Sequence, residues 1–304
     1  MLARKSTIQK QTKLGSPVLS MSAPTSIAVV HLVWAGSGIQ QFENFIESYK
    51  RHQAGCEHAL IIAFKGFEDD QSKLDAYLEF VREVAFETIV APDVGKDIAA
   101  YRYVLSALAS SFEKALFLNS SSEILFENWL LNFDRALAQD GTGVVGATGS
   151  WEQRDASDPW PNTHLRTNAF YACVEVLNQL DWGGADDSLR FEAGPASLYA
   201  QVKRMGLSVA VVGGNGESYS ESEWCDAGTF RSFAQGNLMI ADNRTRDYQV
   251  ADEVKRAWFH IKAWQGFDPG PNPDKRGRVS YAWKNFIYRF TRASKKNAMI
   301  KEKL

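Results

Sequence analysis

What this chain of 304 residues has little of narrows its class first. It carries three cysteines, Cys56, Cys173 and Cys225, widely spaced and odd in number. That spacing excludes a disulfide framework and a Cys-based zinc site, and free thiols in a reducing, cytoplasmic compartment are the simplest expectation. No apolar run approaches the ~20 residues that span a bilayer. The segment before Ile27 is polar and basic without an apolar stretch, so it does not read as a secretory signal. A general excess of positive charge is also missing. The net charge is −2, and the basic residues crowd the two ends, with Arg4, Lys5, Lys10 and Lys13 at one and a Lys/Arg-rich stretch after Asp274 at the other. An acidic body with basic ends excludes a general nucleic-acid binder and fits anionic lipid better as a partner of the ends.

What is present is apolar and aromatic: 45% hydrophobic residues and nine Trp. A chain of this size buries a sizeable core, in one large domain or two intimate ones. Residues 1–25 read as a disordered leader, polar with Gly15, Pro17 and Pro24. From Ile27 the pattern alternates. Ile27 to Trp34, Ala59 to Phe64, Phe86 to Ala91, Ala115 to Leu118 and Val144 to Ala147 are short apolar runs of the kind that form buried strands. Between them, apolar residues at helical spacing mark helices on Phe42 to Tyr49, Leu74 to Val81, Ile98 to Leu108 and Trp129 to Leu137. The alternation predicts an α/β fold: a mostly parallel sheet flanked by helices on both faces, in a single large domain over 26–265. Beyond residue 148 the expectations are an apolar stretch from Phe170 leading into a helix, a helix from Pro195 to Met205, and a strand from Leu207 to Val212. A mobile, lid-like loop from Gly213 to Gly228 and one helix from Tyr248 to Trp264 follow.

Ligands of such sheets bind beyond the carboxyl ends of the strands, which selects the loops to inspect. After the first strand, Trp34, Gly36 and Gly38 form a tight turn that either merely reverses the chain or lets backbone approach a nucleotide. Gln41 stands where the third glycine of a dinucleotide fingerprint belongs, so an NAD-binding reading is rejected. After the third strand come Lys96, Asp97 and Arg102: a capping carboxylate with solvated bases, or a contact to nucleotide phosphates. After the fourth strand the chain enters Asn119, Ser120 and Ser121, a polar turn at the place where nucleotide-sugar transferases carry Asp-x-Asp for Mg²⁺ or Mn²⁺. His164, Arg166 and Thr167 are candidates for an acceptor or diphosphate pocket. Glu192 precedes a helix, as a dipole-favoured carboxylate or a general base, with Asp186 and Asp187 as rivals. Asp242, Arg244 and His260 either reach the site or form surface salt bridges, the commoner fate of such residues. No metal-ligand spacing is present.

In their order, these segments resemble the rhamnan-synthesis and lipopolysaccharide-biosynthesis glycosyltransferase-like proteins of bacteria. The resemblance is carried by Val30-His31, Gly95-Lys96-Asp97-Ile98-Ala99, Asn119-Ser120-Ser121, His164-Leu165-Arg166-Thr167 and Phe191-Glu192-Ala193-Gly194, over roughly residues 27 to 265. It implies a GT-A-type nucleotide-sugar-binding fold and sugar transfer onto a growing surface glycan, with Glu192 where such transferases keep their base. Lys96 departs from the family's Arg. Ser120 departs from the acidic residue of its Asn-Asp-Ser, which weakens the expectation of a divalent cofactor. The alternative is a GT-A-like module that binds glycan or nucleotide without transferring. A sugar nucleotidyltransferase lacks its Gly-rich, Arg/Lys-bearing first loop here. Within 266–304, Val279, Trp283, Phe286, Ile287 and Phe290 share one helical face and Lys284, Arg289, Arg292, Lys295 and Lys296 the other. That is the pattern of a basic amphipathic helix lying on an anionic membrane, at the inner face of the plasma membrane if the acceptor is lipid-linked as the family implies.

Overall fold

The computed structural model describes residues 26–265, apart from 86, 109–110, 155–157 and 185–186. The expected leader, the C-terminal amphipathic helix and Asp186 lie outside the described residues. The first half alternates strand and helix: β1 (Ile27–Trp34), α1 (Ile39–Arg51), β2 (Ala59–Lys65), α2 (Gln71–Val81), β3 (Glu87–Ala91), α3 (Asp97–Leu108), β4 (Lys114–Leu118), β5 (Glu123–Ile124), α4 (Trp129–Leu137) and β6 (Thr142–Gly146). The second half holds β7 (Gly149–Ser150), β8 (His164–Leu165), β9 (Ala169–Cys173), α5 (Val174–Asn178), α6 (Ser188–Glu192), α7 (Leu198–Arg204) and β10 (Ser208–Val212). It closes with β11 (Ser218–Tyr219), β12 (Ile240–Ala241), α8 (Asn243–Val250) and α9 (Glu253–Trp264).

Eight strands form one sheet in the order β11-β10-β6-β9-β4-β1-β2-β3. β3, β2, β1 and β4 are parallel to one another, and β6 and β10 are parallel to each other. β9 runs antiparallel to both β4 and β6, and β11 antiparallel to β10. The sheet is thus mostly parallel, as the alternation predicts. β1 is buried at every position but its last, which its unbroken apolar sequence requires when helices cover both faces. Because strand side chains alternate, Ala28, Val30 and Leu32 enter one apolar layer with Ile98, Tyr101 and Val104 of α3. Val29 and Val33 enter the other, with Phe42 and Phe45 of α1 and Phe133 of α4.

The stretch from Phe170 completes the central strand β9 and leads into a helix at Val174, as expected. Two other expectations for the second half are corrected. The predicted helix from Tyr248 to Trp264 is two, α8 and α9. The break at Ala251 and Asp252 arises because the Asp252 side chain accepts the Lys255 N–H and starts a new helix. The segment from Gly213 to Gly228 is built into the domain. Trp224 is fully buried and its indole N–H donates to the Tyr219 carbonyl at 3.0 Å. The Trp224 ring packs so closely on Gly149 that a Cβ there would stand 2.2 Å from it. No helix of the described residues is long and apolar enough to cross a membrane.

Candidate functional site

The carboxyl ends of β1 to β4 and the start of antiparallel β9 share one edge of the sheet, and the residues nominated from the sequence collect there. On the β1 side, Trp34 is 47% exposed, an unusual fate for an indole, and its ring folds over Gly36. A side chain on Gly36 would meet that ring at 2.5 Å, so glycine is required for the packing. The loops after β1 and β4 are joined by Ser37 Oγ and Ser120 Oγ at 3.1 Å, and by Ser121 Oγ donating to Gln41 Oε1 at 2.9 Å. Gln41, which displaces a fingerprint glycine, therefore anchors the β4 loop. Arg246 of α8 adds a hydrogen bond to the Ser121 carbonyl at 3.0 Å.

Asn119 is spent inside its own turn. Its Oδ1 accepts the Ser121 N–H and the Ser122 hydroxyl, each at 3.1 Å. Neutral oxygens already engaged in this way do not fit the Asp-x-Asp role of holding a divalent ion against a diphosphate. Among the described residues no group of three or more His, Cys, Asp or Glu is placed to hold one either.

The second part of the site lies where α3 begins and α6 ends. Asp97 is the first residue of α3 and its Oδ1 accepts the Ile98 N–H at 3.0 Å. Glu192 is the last residue of α6, so it does not open a helix as the sequence suggests. At a C-terminal end the helix dipole works against a carboxylate, and the bland explanation for Glu192 is removed. Both carboxylates are half-buried. Burial first, and then the charge of Glu192, push the Asp97 carboxyl up to about 6. Among the described residues Glu192 makes no hydrogen bond and no ion pair. Beneath the two acids lies Tyr101, fully buried, with a hydroxyl that has no hydrogen-bond partner among the described residues. Burial and the two carboxylates hold that hydroxyl well above its ordinary range.

His164 and Arg166 complete the cluster, both buried, and both feel the charge of Glu192. His164 Nδ1 lies 2.7 Å from the Asn162 carbonyl. A carbonyl only accepts, so Nδ1 carries the proton and the neutral ring keeps its lone pair on Nε2. Burial lowers the His164 pKa, with Glu192 and the Asn162 carbonyl opposing, so the neutral ring prevails. Arg166 is committed elsewhere. It donates to Asp242 Oδ2 at 2.7 Å and stacks 4.4 Å over the Phe230 ring. Asp242 is fully buried and also caps α8 by accepting the Thr245 N–H at 2.8 Å. Burial alone would raise this carboxyl, but Arg166 and Thr245 hold it below the usual range. The expectation of a surface salt bridge at Asp242 is therefore corrected: it is a buried pair, because the capping of α8 turns the Asp242 carboxylate inward onto Arg166.

Of the remaining nominees, Thr167 is buried at this edge, Arg102 is exposed and donates to the Gly183 carbonyl at 3.0 Å, and Lys96 is exposed beside Asp97. Asp187, a rival to Glu192, is occupied by the Gly184 N–H at 2.9 Å and by Arg190. His260 Nδ1 meets the Arg231 carbonyl at 2.9 Å. Sequence reasoning missed Glu152, whose charge reaches both His164 and Arg166 and whose partners are Arg231 and Lys262. It missed Tyr101 as well. A buried tyrosine on the apolar face of a helix gives no signal until the acids above it are placed.

No family model matches this chain, and no curated protein matches it. Solved structures align with part of it. A mannosyltransferase from Pyrobaculum calidifontis, in complex with GDP-Man and Mn²⁺, is 14% identical at a TM-score of 0.41, over 62% of this chain and 56% of its own. The 4-diphosphocytidyl-2C-methyl-D-erythritol synthase of Anaerococcus prevotii is 14% identical at 0.40, over 62% and 89%. A galactosyltransferase, LgtC, in complex with donor and acceptor sugar analogues, is 9% identical at 0.37, over 51% and 60%. The aligned region spans little more than half of the mannosyltransferase, and likenesses of this size assign no residue a role.

Proposed function

We propose that the chain is a glycosyltransferase of GT-A type that moves a sugar from a nucleotide-sugar donor to a glycan acceptor, in the assembly of a bacterial surface polysaccharide. The observation that carries the reading is the carboxylate pair Asp97 and Glu192. Two half-buried acids lie together at the carboxyl edge of the sheet, over an unpartnered Tyr101 hydroxyl, and Glu192 is held by no ion pair. A carboxylate that no cation neutralises, at the edge of the sheet where ligands bind, suits general base chemistry.

In this reading the nucleotide lies over the loops after β1, β3 and β4, its base or sugar against the exposed face of Trp34. The acceptor hydroxyl gives its proton to Glu192 while its oxygen bonds the anomeric carbon. The anomeric C–O bond breaks and its electron pair leaves with the nucleoside diphosphate. Direct displacement inverts the anomeric centre. Lys96 and Arg102 offset the charge on the leaving group, since Arg166 is consumed by Asp242. Asn119 and Ser121 do not fit a divalent ion. The acceptor is a lipid-linked glycan in the family that the sequence resembles. With such an acceptor the chain would work at the inner face of the membrane, and the basic residues of 266–304 are proposed to meet anionic lipid.

The neutral Asn119 turn favours a second reading, a module that binds nucleotide or glycan without transferring. Thermal unfolding of the purified chain with nucleoside diphosphates and their sugars, with and without Mg²⁺ or Mn²⁺, together with donor hydrolysis, separates the readings. A ligand that binds only the native state raises Tm by linkage. The transferase reading expects one nucleotide to raise Tm without metal and its sugar to be hydrolysed slowly. Binding with no hydrolysis of any donor sugar supports the module, and no shift with any nucleotide refutes the transferase and leaves the glycan-binding module.

A further inference from the structure

His164 presents a lone pair on Nε2 that no group among the described residues uses. The ring sits on a rigid support. β8 pairs antiparallel with β7, with His164 opposite Ser150 and Leu165 opposite Gly149. On one side of this pair the Arg166 N–H donates to the Thr148 carbonyl at 3.0 Å, and on the other the Asn162 N–H donates to the Trp151 carbonyl at 3.3 Å. Leu165 packs against Gly146 so closely that a Cβ there would stand 2.5 Å from it. The Asn162 amide donates to the Glu152 carbonyl at 3.1 Å, so the residue whose carbonyl receives the His164 Nδ1–H is itself fixed. The tautomer follows from that bond, and with it the lone pair on Nε2.

Nε2 is not sealed in. The His164 side chain is buried, yet unlike both ring nitrogens of His31, which are enclosed and unpartnered, Nε2 keeps contact with solvent. Three charges face the ring: Glu192 most strongly, then Glu152 and Arg166. Arg166 donates to Asp242 Oδ2 at 2.7 Å and to Thr148 Oγ1 at 3.4 Å, and Glu152 is shared by Arg231 and Lys262. Half-buried Glu192 has no partner among the described residues. This corner therefore offers a ligand two acceptors, a neutral imidazole nitrogen and a carboxylate, beside a cation already committed. A phosphate brings acceptor oxygens and negative charge, so neither group attracts it. A sugar hydroxyl can donate a hydrogen bond to either.

We propose that His164 Nε2 and the Glu192 carboxylate hold two hydroxyls of the acceptor sugar. Glu192 takes the proton of the hydroxyl that attacks, and Nε2 accepts a hydrogen bond from a second one with no transfer of its proton. The inference rests on the transferase reading and deepens it. The acceptor end is an uncharged sugar with a second free hydroxyl near the reacting one, and His164 serves that sugar rather than the diphosphate. ¹⁵N NMR of the full chain labelled at histidine tests this, with His164→Gln assigning the resonance. Methyl pyranosides of different configuration, each beside its monodeoxy counterparts, and inorganic phosphate are titrated in with the nucleoside diphosphate that raises Tm, or alone if none does. The ring is expected as the Nδ1–H tautomer. One glycoside is expected to shift the Nε2 signal, and its analogue lacking the second hydroxyl to bind roughly tenfold more weakly. His164→Leu is expected to lose roughly tenfold in glycoside affinity, and His164→Gln, whose amide oxygen can accept the same bond, to regain most of it, with nucleotide affinity unchanged in both. Should His164→Leu fail to fold, the wild-type signal and the deoxy series decide. An Nε2–H tautomer, a signal that no glycoside moves, or one that phosphate moves overturns the proposal. Nucleotide binding with no glycoside at Nε2 sinks this contact and leaves the transferase reading standing, whereas a glycoside at Nε2 with no nucleotide bound sinks the transferase and leaves the sugar contact.

Discussion

Asp97→Asn is expected to stabilise the protein at neutral pH. The Asp97 carboxyl titrates at about 6 in the fold against an ordinary 3.8. Each pH unit between the two values corresponds to about 1.4 kcal/mol, so the charged form costs at most about 3 kcal/mol at neutral pH. Asp97 is half-buried, which leaves partial screening by water, and the carboxamide of Asn can still accept the Ile98 N–H. A gain of about 1–2 kcal/mol at pH 7 is the result. The sign follows from proton binding. Between pH 3.8 and about 6 the native state holds a proton that the unfolded chain has released, so wild-type stability falls as pH rises through that window. Below it both states are protonated, and the advantage of Asn vanishes. Urea unfolding of both proteins from pH 3.5 to 8 should give a difference near zero at the acid end, rising to a plateau above pH 6. In a Glu192→Gln background the gain should shrink, because the Glu192 charge supplies part of the shift. A difference that does not change with pH, or a variant less stable than wild type at pH 7, would refute the carboxylate pairing.

Further outcomes follow from the same geometry. Arg166→Met strands the fully buried Asp242 charge and should cost about 3–5 kcal/mol in chemical denaturation, whereas the expendable diphosphate contact first assigned to Arg166 would leave stability unchanged. Trp224→Ala should cost about 3–5 kcal/mol by opening a cavity under Gly149, and a loss below 1 kcal/mol would restore the mobile-lid reading of that segment. Trp34→Ala should leave Tm unaltered and weaken nucleotide binding by about 1–3 kcal/mol in titration, the range of base stacking on an aromatic ring. Unchanged affinity would remove Trp34 from the donor site.

The first half of the fold is legible because its strands are unbroken apolar runs and its helices carry apolar residues at helical spacing. β9 is not, because five apolar residues fit a buried strand and a buried helical turn equally well, and only the pairing to β4 and β6 decides. The Gly213 to Gly228 segment reads as a lid by its Gly and Ser content. Its fate is decided by one residue, Trp224, whose partner Gly149 lies far away in sequence. The site is legible as a list of loops but not as a cluster. That Asp97 and Glu192 share one field depends on packing of α3 against α6, which no local pattern encodes. Asp-Asn-Arg is a polar triplet that signals a surface, yet a capping box turns the Asp242 side chain inward onto Arg166.

The central claim is that Glu192 takes the acceptor proton at a donor site built on these loops, and turnover by Glu192→Gln tests it most directly. With the nucleotide sugar selected by thermal shift, hydrolysis or transfer by the wild-type chain should fall by roughly 10²–10⁴ in the variant, with nucleotide affinity and Tm preserved. Turnover at the wild-type rate in Glu192→Gln would contradict the account.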